Sequence, residues 1–329
     1  MNKAAIFTEG GTSIGFGHIA RCGALYEALK GEKINARIYI DGDDTLRRSI
    51  LPKGAVICRW RDNAMIGRLL AEADTAVVDS YMTQKRVYSY IARHVRTVFY
   101  IDDTMRIDYP RGTVVNGSVG AEKLRYIRKA GLKYMLGAEY ALLRKFFWSA
   151  GEKKIRRRIQ TIMITMGWND ICGNVAPIVT LLQKRCPLIR KIVIVGKGFR
   201  DIPKLIRMKD RNTRFIFNAT AAVMKRVMQA SDVAISGGGQ TLNELARMGV
   251  PTIAISVADN QAYNIKGWAA AGFVDYAGDG SSEHICDLVG RSLVRISGYR
   301  TRSIMSRCGS NCVDGKGALR IARRIKEGI

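Results

Sequence analysis

One of the three histidines of this chain, His18, ends a glycine-rich segment that follows an apolar stretch near the N-terminus. Gly15 and Gly17 permit backbone conformations closed to other residues and let a ligand approach the main chain closely. The spacing predicts a helix that starts here, whose positive N-terminal end disfavours the imidazolium form and leaves the ring able to accept a proton. Arg21, one turn further on, could pair with a phosphate or oppose protonation of His18. The alternative is a histidine that bonds only to backbone, and we favour the reactive role.

A second glycine-rich loop, residues 236–244, follows an apolar strand in the other half of the chain. Its glycines and the predicted helix after them expose backbone amides, which suit a phosphate or diphosphate. Glu244, one turn into that helix, is placed to accept hydrogen bonds from a ribose diol, as acidic residues do in other nucleotide sites. Its alternative role is that of a first-turn acid that complements the helix dipole. This loop is the strongest phosphate-binding signal in the sequence.

Four further segments carry polar residues after predicted strands. Gly167 lies in residues 165–170, where a second set of loop amides could meet the same anion, and Asp170 there either takes part or caps the next helix. Asp79-Ser80-Tyr81 and Asp102-Asp103 follow two strands of the first half, and either segment could orient His18 or hold a ligand. Asn260 and Gln261 begin a helix, and their amides either bind hydroxyl groups or serve as an ordinary cap.

The elements that must position these residues alternate between β-branched runs and helical stretches. Continuous apolar strands separated by helices predict parallel sheets covered on both faces, and ligands of such sheets bind beyond the carboxyl ends of the strands. We predict strands at Ala4–Thr8, Ala36–Ile40, Ala55–Cys58, Ala76–Val78, Val98–Ile101, Val114–Val115, Thr161–Thr165, Ile192–Val195, Arg214–Phe217, Val233–Ser236 and Thr252–Ile255.

A charged interruption, Leu143–Arg158, separates the two runs of strands. We therefore expect two doubly wound α/β domains, an N-terminal one over residues 1–155 and a C-terminal one over residues 156–329. The last segment, Gly315–Lys326, is predicted to be a basic helix that packs back on the junction.

The chain is strongly basic, with 54 Lys and Arg against 28 Asp and Glu and a net charge of +26 over 329 residues. Such a field attracts polyanions, including nucleic acid, anionic membrane surfaces and phosphorylated metabolites. The basic residues are not interleaved with aromatics as in a strand-binding groove, and charge alone gives only non-specific affinity. We therefore do not expect nucleic acid as the ligand, whereas peripheral attraction to anionic membrane stays open.

The apolar stretch at the N-terminus is too short for a signal peptide, and no apolar run is long enough to span a bilayer, so we expect a cytoplasmic protein. The seven cysteines are an odd, scattered set and do not suggest a disulfide framework. Cys308 and Cys312 could supply half of a metal site, but tetrahedral zinc needs four ligands. We expect no metal.

Over essentially its whole length, the sequence resembles the UDP-sugar hydrolases of the pseudaminic-acid pathway. That family hydrolyses UDP-2,4-diacetamido-2,4,6-trideoxy-β-L-altropyranose and is related to GT-B glycosyltransferases. The motifs that carry the resemblance are Ile14-Gly15-Phe16-Gly17-His18 with Arg21, Asp79-Ser80-Tyr81, Asp102-Asp103, Asn116, Gly137 with Tyr140-Ala141-Leu142-Leu143-Arg144, Gly238 to Glu244, Asn260-Gln261 with Asn264, and Asp314-Gly315-Lys316-Gly317.

The resemblance implies a GT-B-like fold of two Rossmann-like domains with the active site in the cleft between them, and a UDP-sugar substrate. It makes His18 the base that activates water for inverting hydrolysis to free sugar and UDP. No metal or other cofactor is implied. The UDP site would comprise Phe217 near the uracil, Gly238, Gly239, Gln240, Thr241 and Asn243 at the diphosphate, and Glu244 at the ribose. The remaining substrate contacts would be Gly15, Gly17, Arg21, Tyr81, Asp102, Gly167, Asn260 and Gln261.

Two departures from the family pattern leave the identity of the sugar open. Gly167-Trp168-Asn169-Asp170 stands where the family usually has Gly-Gly-Ser/Thr-Asp, and Phe7-Thr8-Glu9-Gly10 replaces a common Arg-x-Asp sequence. Three other functions remain possible at this point. They are a GT-B glycosyltransferase with a UDP-sugar donor, a hydrolysing 2-epimerase, and a basic nucleic-acid-binding protein.

Overall fold

The computed structural model describes residues 3–12, 14–48 and 51–328. It divides into two compact units. The first unit comprises Met1–Trp148 and Gly315–Ile329, and the second unit comprises Ser149–Asp314. Each unit contains one parallel β-sheet with helices in the connections between strands, as the alternation of apolar runs and helical stretches predicts.

The sheet of the first unit has seven strands in the order β3-β2-β1-β4-β5-β6-β7. Its strands are β1 (Lys3–Gly10), β2 (Asn35–Gly42), β3 (Val56–Ile57), β4 (Thr75–Asp79), β5 (Thr97–Ile101), β6 (Gly112–Asn116) and β7 (Leu132–Leu136); the helices between them are α1 (Gly17–Gly31), α2 (Asn63–Leu70) and α3 (Lys85–His94).

Strand β1 shows why this sheet forms. After Lys3, every residue of β1 is buried, and the strand pairs in parallel with β2 on one side and β4 on the other. Its side chains alternate between two separate apolar clusters, with Ile6 in one and Phe7 in the other. A strand covered on both faces needs a continuous apolar run, which is what the sequence supplies.

The sheet of the second unit has six strands in the order β10-β9-β8-β11-β12-β13. Its strands are β8 (Thr161–Thr165), β9 (Arg190–Val195), β10 (Thr213–Phe217), β11 (Val233–Gly237), β12 (Thr252–Ser256) and β13 (Val274–Asp279); its helices are α4 (Val175–Arg185), α5 (Ile202–Arg207), α6 (Ala221–Ala230), α7 (Thr241–Arg247), α8 (Ala262–Ala270), α9 (Ile285–Arg295) and α10 (Tyr299–Cys312).

The last helix, α11 (Gly317–Glu327), belongs to the first unit and packs against α1. Ile321 and Ile325 are fully buried in the cluster that also contains Leu25. Each buried isoleucine stabilises this packing by about 1.5–3 kcal/mol. The helix can approach closely because a Cβ at Gly317 would lie 2.3 Å from the carbonyl oxygen of Ala141.

Two strands have no counterpart in the sequence-based prediction, β7 and β13, and each lies at the edge of its sheet. Both are only partly buried and carry polar residues among their apolar ones. These two edge strands lack the continuous apolar run by which the central strands are recognised. No helix in the described part of the chain is long and apolar enough to cross a membrane.

Candidate functional site

The strand order places one topological switch point in each sheet. The order reverses between β1 and β4 in the first unit and between β8 and β11 in the second unit. In open α/β sheets, ligands bind at such points, outside the carboxyl ends of the strands. The glycine-rich segment that ends at His18 follows β1, and the loop that contains Gly238 follows β11, so the two strongest sequence signals lie at the two switch points.

The turn that carries His18 is closed by its own backbone. Gly11 and Gly15 exchange two backbone hydrogen bonds of 3.1 and 2.8 Å, and Gly15 adopts a φ of +78°, a conformation that favours glycine. Helix α1 then begins at Gly17, with His18 in its first turn. A Cβ at Gly15 or Gly17 would meet no atom within 4 Å, so the space beside the turn is open in the first unit.

His18 is 4% exposed and lies against a fully buried carboxylate at the end of β4, Asp79. Nδ1 of His18 is 2.6 Å from Oδ1 of Asp79. Burial alone would raise the pKa of Asp79, but the Arg21 guanidinium and then His18 outweigh it and hold that pKa well below its usual range. Asp79 is therefore ionised at neutral pH and can only accept hydrogen bonds.

Arg21 joins Asp79 to a second carboxylate, Asp103. Its Nε and Nη2 donate to the two oxygens of Asp79 at 2.7 and 2.6 Å, and its Nη1 donates to Asp103 at 2.7 Å. Burial would lower the pKa of Arg21, but the two carboxylates raise it well above its usual value, so the guanidinium stays charged. The pKa of Asp103 is lowered by Arg21 against the effect of burial. Arg21 thus pairs with two carboxylates of this site.

Tyr81 completes this cluster. Its ring stands edge-on to the His18 ring, with centroids 4.4 Å apart and an interplanar angle of 88°. Its hydroxyl donates to Asp103, whose two oxygens lie 2.7 and 2.8 Å away. Burial, together with Asp103, raises the pKa of Tyr81, so the phenol keeps its proton. We call His18, Arg21, Asp79, Tyr81 and Asp103 the histidine cluster.

Asp102 makes a different set of contacts from its neighbour in the sequence. It accepts from the backbone amides of Thr104 and Met105, both at 3.1 Å, and from the Tyr126 hydroxyl at 2.9 Å. Burial raises its pKa. The side chain from the 102–103 pair that contacts the histidine cluster is therefore Asp103, whereas Asp102 holds the turn that follows β5.

The histidine cluster fixes which nitrogen of His18 can act as a base. Nδ1 lies 2.6 Å from the Asp79 carboxylate, which can only accept, and farther, 3.1 Å, from Nη2 of Arg21, so in the neutral ring Nδ1 carries the proton and donates to Asp79. The other nitrogen, Nε2, then presents its lone pair and can take a proton from water or a hydroxyl. This arrangement is that of a general base oriented by a carboxylate.

In the second unit, α8 and the turn before it, Asp259–Gln261, form hydrogen bonds with the loop that contains Gly238. The Gly238 amide donates to Oε1 of Gln261 at 2.9 Å, and Asn264 Nδ2 donates to the Gly238 carbonyl at 2.8 Å. A Cβ at Gly238 would lie 2.4 Å from Cδ1 of the buried Ile265, whereas one at Gly239 would have no neighbour nearer than 3.8 Å. Gly238 is therefore needed for packing, and the accessible part of the loop runs from Gly239 to Thr241.

Two other residues assigned to the UDP site lie behind this loop. Asn243 is 8% exposed, accepts from the Trp268 indole at 3.1 Å and contacts Gln240 at 3.4 Å. Glu244 is 3% exposed in the first turn of α7. Asn243 therefore supports Gln240 and the loop, and Gln261 does so through Gly238.

The loop after β8, next to β11, brings Gly167 to the same switch point. Gly167 has a φ of +87°, and a Cβ there would meet nothing within 4 Å. Trp168 packs over the loop after β9, since a Cβ at Gly198 would lie 2.5 Å from its Nε1. Asp170 accepts from the amides of Asn174 and Val175, both at 2.9 Å, at the start of α4. Asp170 thus takes its helix-capping role.

The two remaining predicted contacts lie at the surface of the second unit. Phe217 ends β10, is 40% exposed, and lies three strands from β11, which at about 4.8 Å per strand is ~14 Å across the sheet. Asn260 is exposed in the turn Asp259–Gln261. Within the described ranges, no group of three or more His, Cys, Asp or Glu could hold a metal ion, and this includes the surroundings of Cys308 and Cys312.

Comparison with known proteins identifies remote relatives, and no family model matches the chain. The spore coat polysaccharide biosynthesis protein SpsG of Bacillus subtilis is 22% identical over 98% of this chain and 97% of its own length. An uncharacterised protein of Methanocaldococcus jannaschii is 20% identical, and the match spans 77% of this chain but 55% of that protein. The pseudaminic acid cytidylyltransferase and UDP-2,4-diacetamido-2,4,6-trideoxy-β-L-altropyranose hydrolase of Helicobacter pylori is 21% identical over 78% of this chain and 45% of that protein.

Solved structures match the fold over nearly the whole chain. MurG of Acinetobacter baumannii superposes with a TM-score of 0.66 at 12% identity, covering 99% of both chains. A putative UDP-N-acetylglucosamine 2-epimerase from Listeria monocytogenes gives 0.65 at 13% identity, covering 99% of this chain and 96% of the other. A Staphylococcus aureus MnaA–UDP structure gives 0.63 at 11% identity, with 99% and 96% covered. These similarities confirm the GT-B-like fold class.

Proposed function

We propose that this protein hydrolyses a UDP-linked diacetamido-trideoxy sugar to the free sugar and UDP, with inversion at the anomeric carbon. The observation that carries the proposal is the His18–Asp79 pair at the switch point of the first unit, in which Asp79 directs Nδ1 and leaves Nε2 as a proton acceptor. The name of the H. pylori relative supplies the substrate class. The UDP in the MnaA structure, which shares this fold, supports UDP as the nucleotide.

In the proposed reaction, water loses a proton to Nε2 of His18 as its oxygen bonds to the anomeric carbon. The bond between that carbon and the UDP oxygen breaks at the same time, and UDP leaves with the electron pair. A correctly placed general base contributes roughly 10²–10⁴-fold to such a step. Asp79 stabilises the imidazolium that forms, and Arg21 keeps Asp79 ionised throughout.

The second unit has the complementary task of binding the leaving group. Backbone amides from Gly239 to Thr241 would donate to the diphosphate, so that negative charge gained by the departing UDP is stabilised by fixed dipoles. In the proposed site Glu244 holds the ribose, Phe217 lies near the uracil, and Gly167 adds to the anion site. Because UDP is a good leaving group once its charge is held, no strong general acid is required.

The test is incubation of the purified protein with UDP-2,4-diacetamido-2,4,6-trideoxy-β-L-altropyranose in ¹⁸O-water, followed by NMR and mass spectrometry. We expect UDP and free sugar without an added acceptor, with label on the sugar, initial formation of the inverted anomer and persistence of turnover in EDTA. Label on the phosphate would contradict attack at carbon.

The role of His18 is tested by replacing it with leucine. We expect His18→Leu to abolish turnover while calorimetry shows that UDP binding persists, because the ring and the UDP site lie in different units. His94→Leu is the matched control, since His94 is exposed on α3 and bonds only to the Tyr90 carbonyl among its described polar contacts. Loss of UDP binding in His18→Leu would make His18 structural.

Two variations of this assay, one with an added acceptor and one in deuterated water, separate hydrolysis from the rival functions. A glycosyltransferase of this fold would release UDP only when an acceptor is added. A hydrolysing 2-epimerase would introduce solvent deuterium at C2 of the sugar. Either result would replace hydrolysis as the function of the histidine cluster.

A further inference from the structure

Glu9 is a fully buried carboxylate that the proposed reaction does not use directly. It is the next-to-last residue of strand β1, where it is 0% exposed. Its Oε1 accepts from the backbone amides of Tyr81 at 2.6 Å and Met82 at 3.2 Å, and its Oε2 accepts from the Ser80 hydroxyl. Glu9 thus binds the donors of the turn that follows β4, Ser80–Thr83, which we call the 80–83 turn.

Arg106 binds the same turn through its acceptors. Its Nη2 donates to the carbonyls of Ser80 at 3.1 Å and Thr83 at 2.9 Å. One buried anion therefore holds the amides of the turn, and one cation holds its carbonyls. The turn does not depend on apolar packing of its middle, since Met82 is 60% exposed.

The ring of Tyr81, in the 80–83 turn, contacts His18. That ring lies edge-on to His18 at 4.4 Å, and its hydroxyl is bonded to Asp103, which Arg21 also contacts. A shift of the turn would move the phenol and disturb both His18 and Asp103. Misplacement of reacting groups by about 1 Å can cost roughly 10²-fold in rate.

We propose that Glu9 is a positioning residue: by fixing the amides of the 80–83 turn, it sets the position of Tyr81 against His18. Glu9 bonds to the backbone of Tyr81 and acts through that residue rather than on the substrate. The kinetic part of this inference rests on the proposed hydrolase function. The structural part, the control of the 80–83 turn by Glu9, does not.

Two variants remove the contacts of Glu9 with the 80–83 turn to different extents. Glu9→Gln keeps the shape and one acceptor oxygen but removes the charge, and Glu9→Ala removes every contact. We expect amide hydrogen exchange of Tyr81 and Met82 to accelerate in the order wild type, Glu9→Gln, Glu9→Ala. We expect kcat to fall in the same order and to be about 10²-fold lower than wild type in Glu9→Ala. The KM for the UDP-sugar and the Kd for UDP should change less than about twofold, because the UDP site lies in the other unit. If Glu9→Ala does not fold, Glu9→Gln carries the test.

A double-mutant cycle distinguishes positioning from general destabilisation. Tyr81→Phe removes the hydroxyl that fixes the phenol to Asp103, so Glu9→Gln should cost much less in that background than in wild type. The matched control is Asp232→Asn in the second unit. Asp232 is also buried and also accepts two backbone amides, those of Gln160 and Thr161, beside an arginine. We expect Asp232→Asn to lower stability and leave kcat unchanged.

The outcomes separate the two proposals. Absence of UDP release from the UDP-sugar by wild-type protein would refute the hydrolase function, and the exchange rates of Tyr81 and Met82 would still decide whether Glu9 holds the turn. Unchanged exchange in both Glu9 variants would overturn the inference. So would equal rate losses from Glu9→Gln in the wild-type and Tyr81→Phe backgrounds of an active enzyme.

Discussion

Replacement of Asp79 by asparagine tests most directly whether the histidine cluster is a base and its orienting carboxylate. Asp79 is fully buried and accepts from His18 at 2.6 Å and from two nitrogens of Arg21 at 2.7 and 2.6 Å. Asparagine has nearly the same shape but only one acceptor oxygen. In either orientation of the amide, at least one donor of the cluster therefore faces an NH₂ group.

The expected loss of rate follows from the tautomer of His18. With the amide nitrogen towards the ring, Nδ1 must accept, Nε2 carries the proton, and the ring cannot take a proton from water. Since a general base supplies roughly 10²–10⁴-fold, we expect kcat of Asp79→Asn to fall by about 10²-fold or more. The UDP affinity should not change, because the UDP site lies in the second unit.

The stability of this variant must be measured alongside its activity. Removal of one partner of a buried ion pair typically costs about 3–5 kcal/mol, which a protein of ordinary stability, about 5–15 kcal/mol, survives. Urea unfolding and UDP titration establish that the variant is folded. A folded Asp79→Asn enzyme within about threefold of the wild-type kcat would refute the orienting role of Asp79.

Three further predictions concern glycines and acid pH. Gly17→Ala should lower kcat/KM by at least about tenfold without loss of stability, because its Cβ enters the open space beside His18. The control is Gly31→Ala at the other end of α1, where a Cβ also meets no atom within 4 Å; it should leave activity unchanged. Gly239→Ala should weaken UDP binding in a calorimeter with little effect on unfolding, whereas Gly238→Ala should destabilise by about 1–3 kcal/mol because its Cβ overlaps Ile265. The depressed pKa of Asp79 means that its stabilisation is complete above the ordinary carboxyl value of 3.8 and is lost as the pH falls below it. The unfolding free energies of wild type and Asp79→Asn should therefore differ at pH 7 and converge as the pH is lowered below about 4.

Much of the architecture could be predicted from local patterns alone. The central strands of both sheets are short, mostly apolar runs, and α1 begins in the segment where the sequence predicts a helix start. The edge strands β7 and β13 could not be found in this way, because they lack the continuous apolar run that identifies the central strands. That α11 packs on α1 in the first unit depends on contacts nearly 300 residues apart along the chain.

The candidate site also has parts that local sequence patterns predict and parts that only the folded chain brings together. Residue types and short spacings single out His18 on its turn and the glycine-rich loop around Gly238, because both need only a strand end and a helix start. Asp79 and Tyr81, which contact His18, come from β4 and the turn after it, and Asp103 comes from the loop after β5. Only the folded sheet therefore shows that Asp79 orients His18 and that Asp103, not Asp102, contacts Tyr81 and Arg21.

Glu9 shows most clearly what the sequence by itself determined and what the tertiary structure decided. The sequence contains one signal, a charged residue at the end of an apolar strand, and a departure from the related pattern at the same place. Nothing local indicates its partners, since the amides it binds lie 72 and 73 residues away. A buried carboxylate needs hydrogen-bond donors, but which donors meet it depends on strand order, and strand order is a property of the assembled sheet.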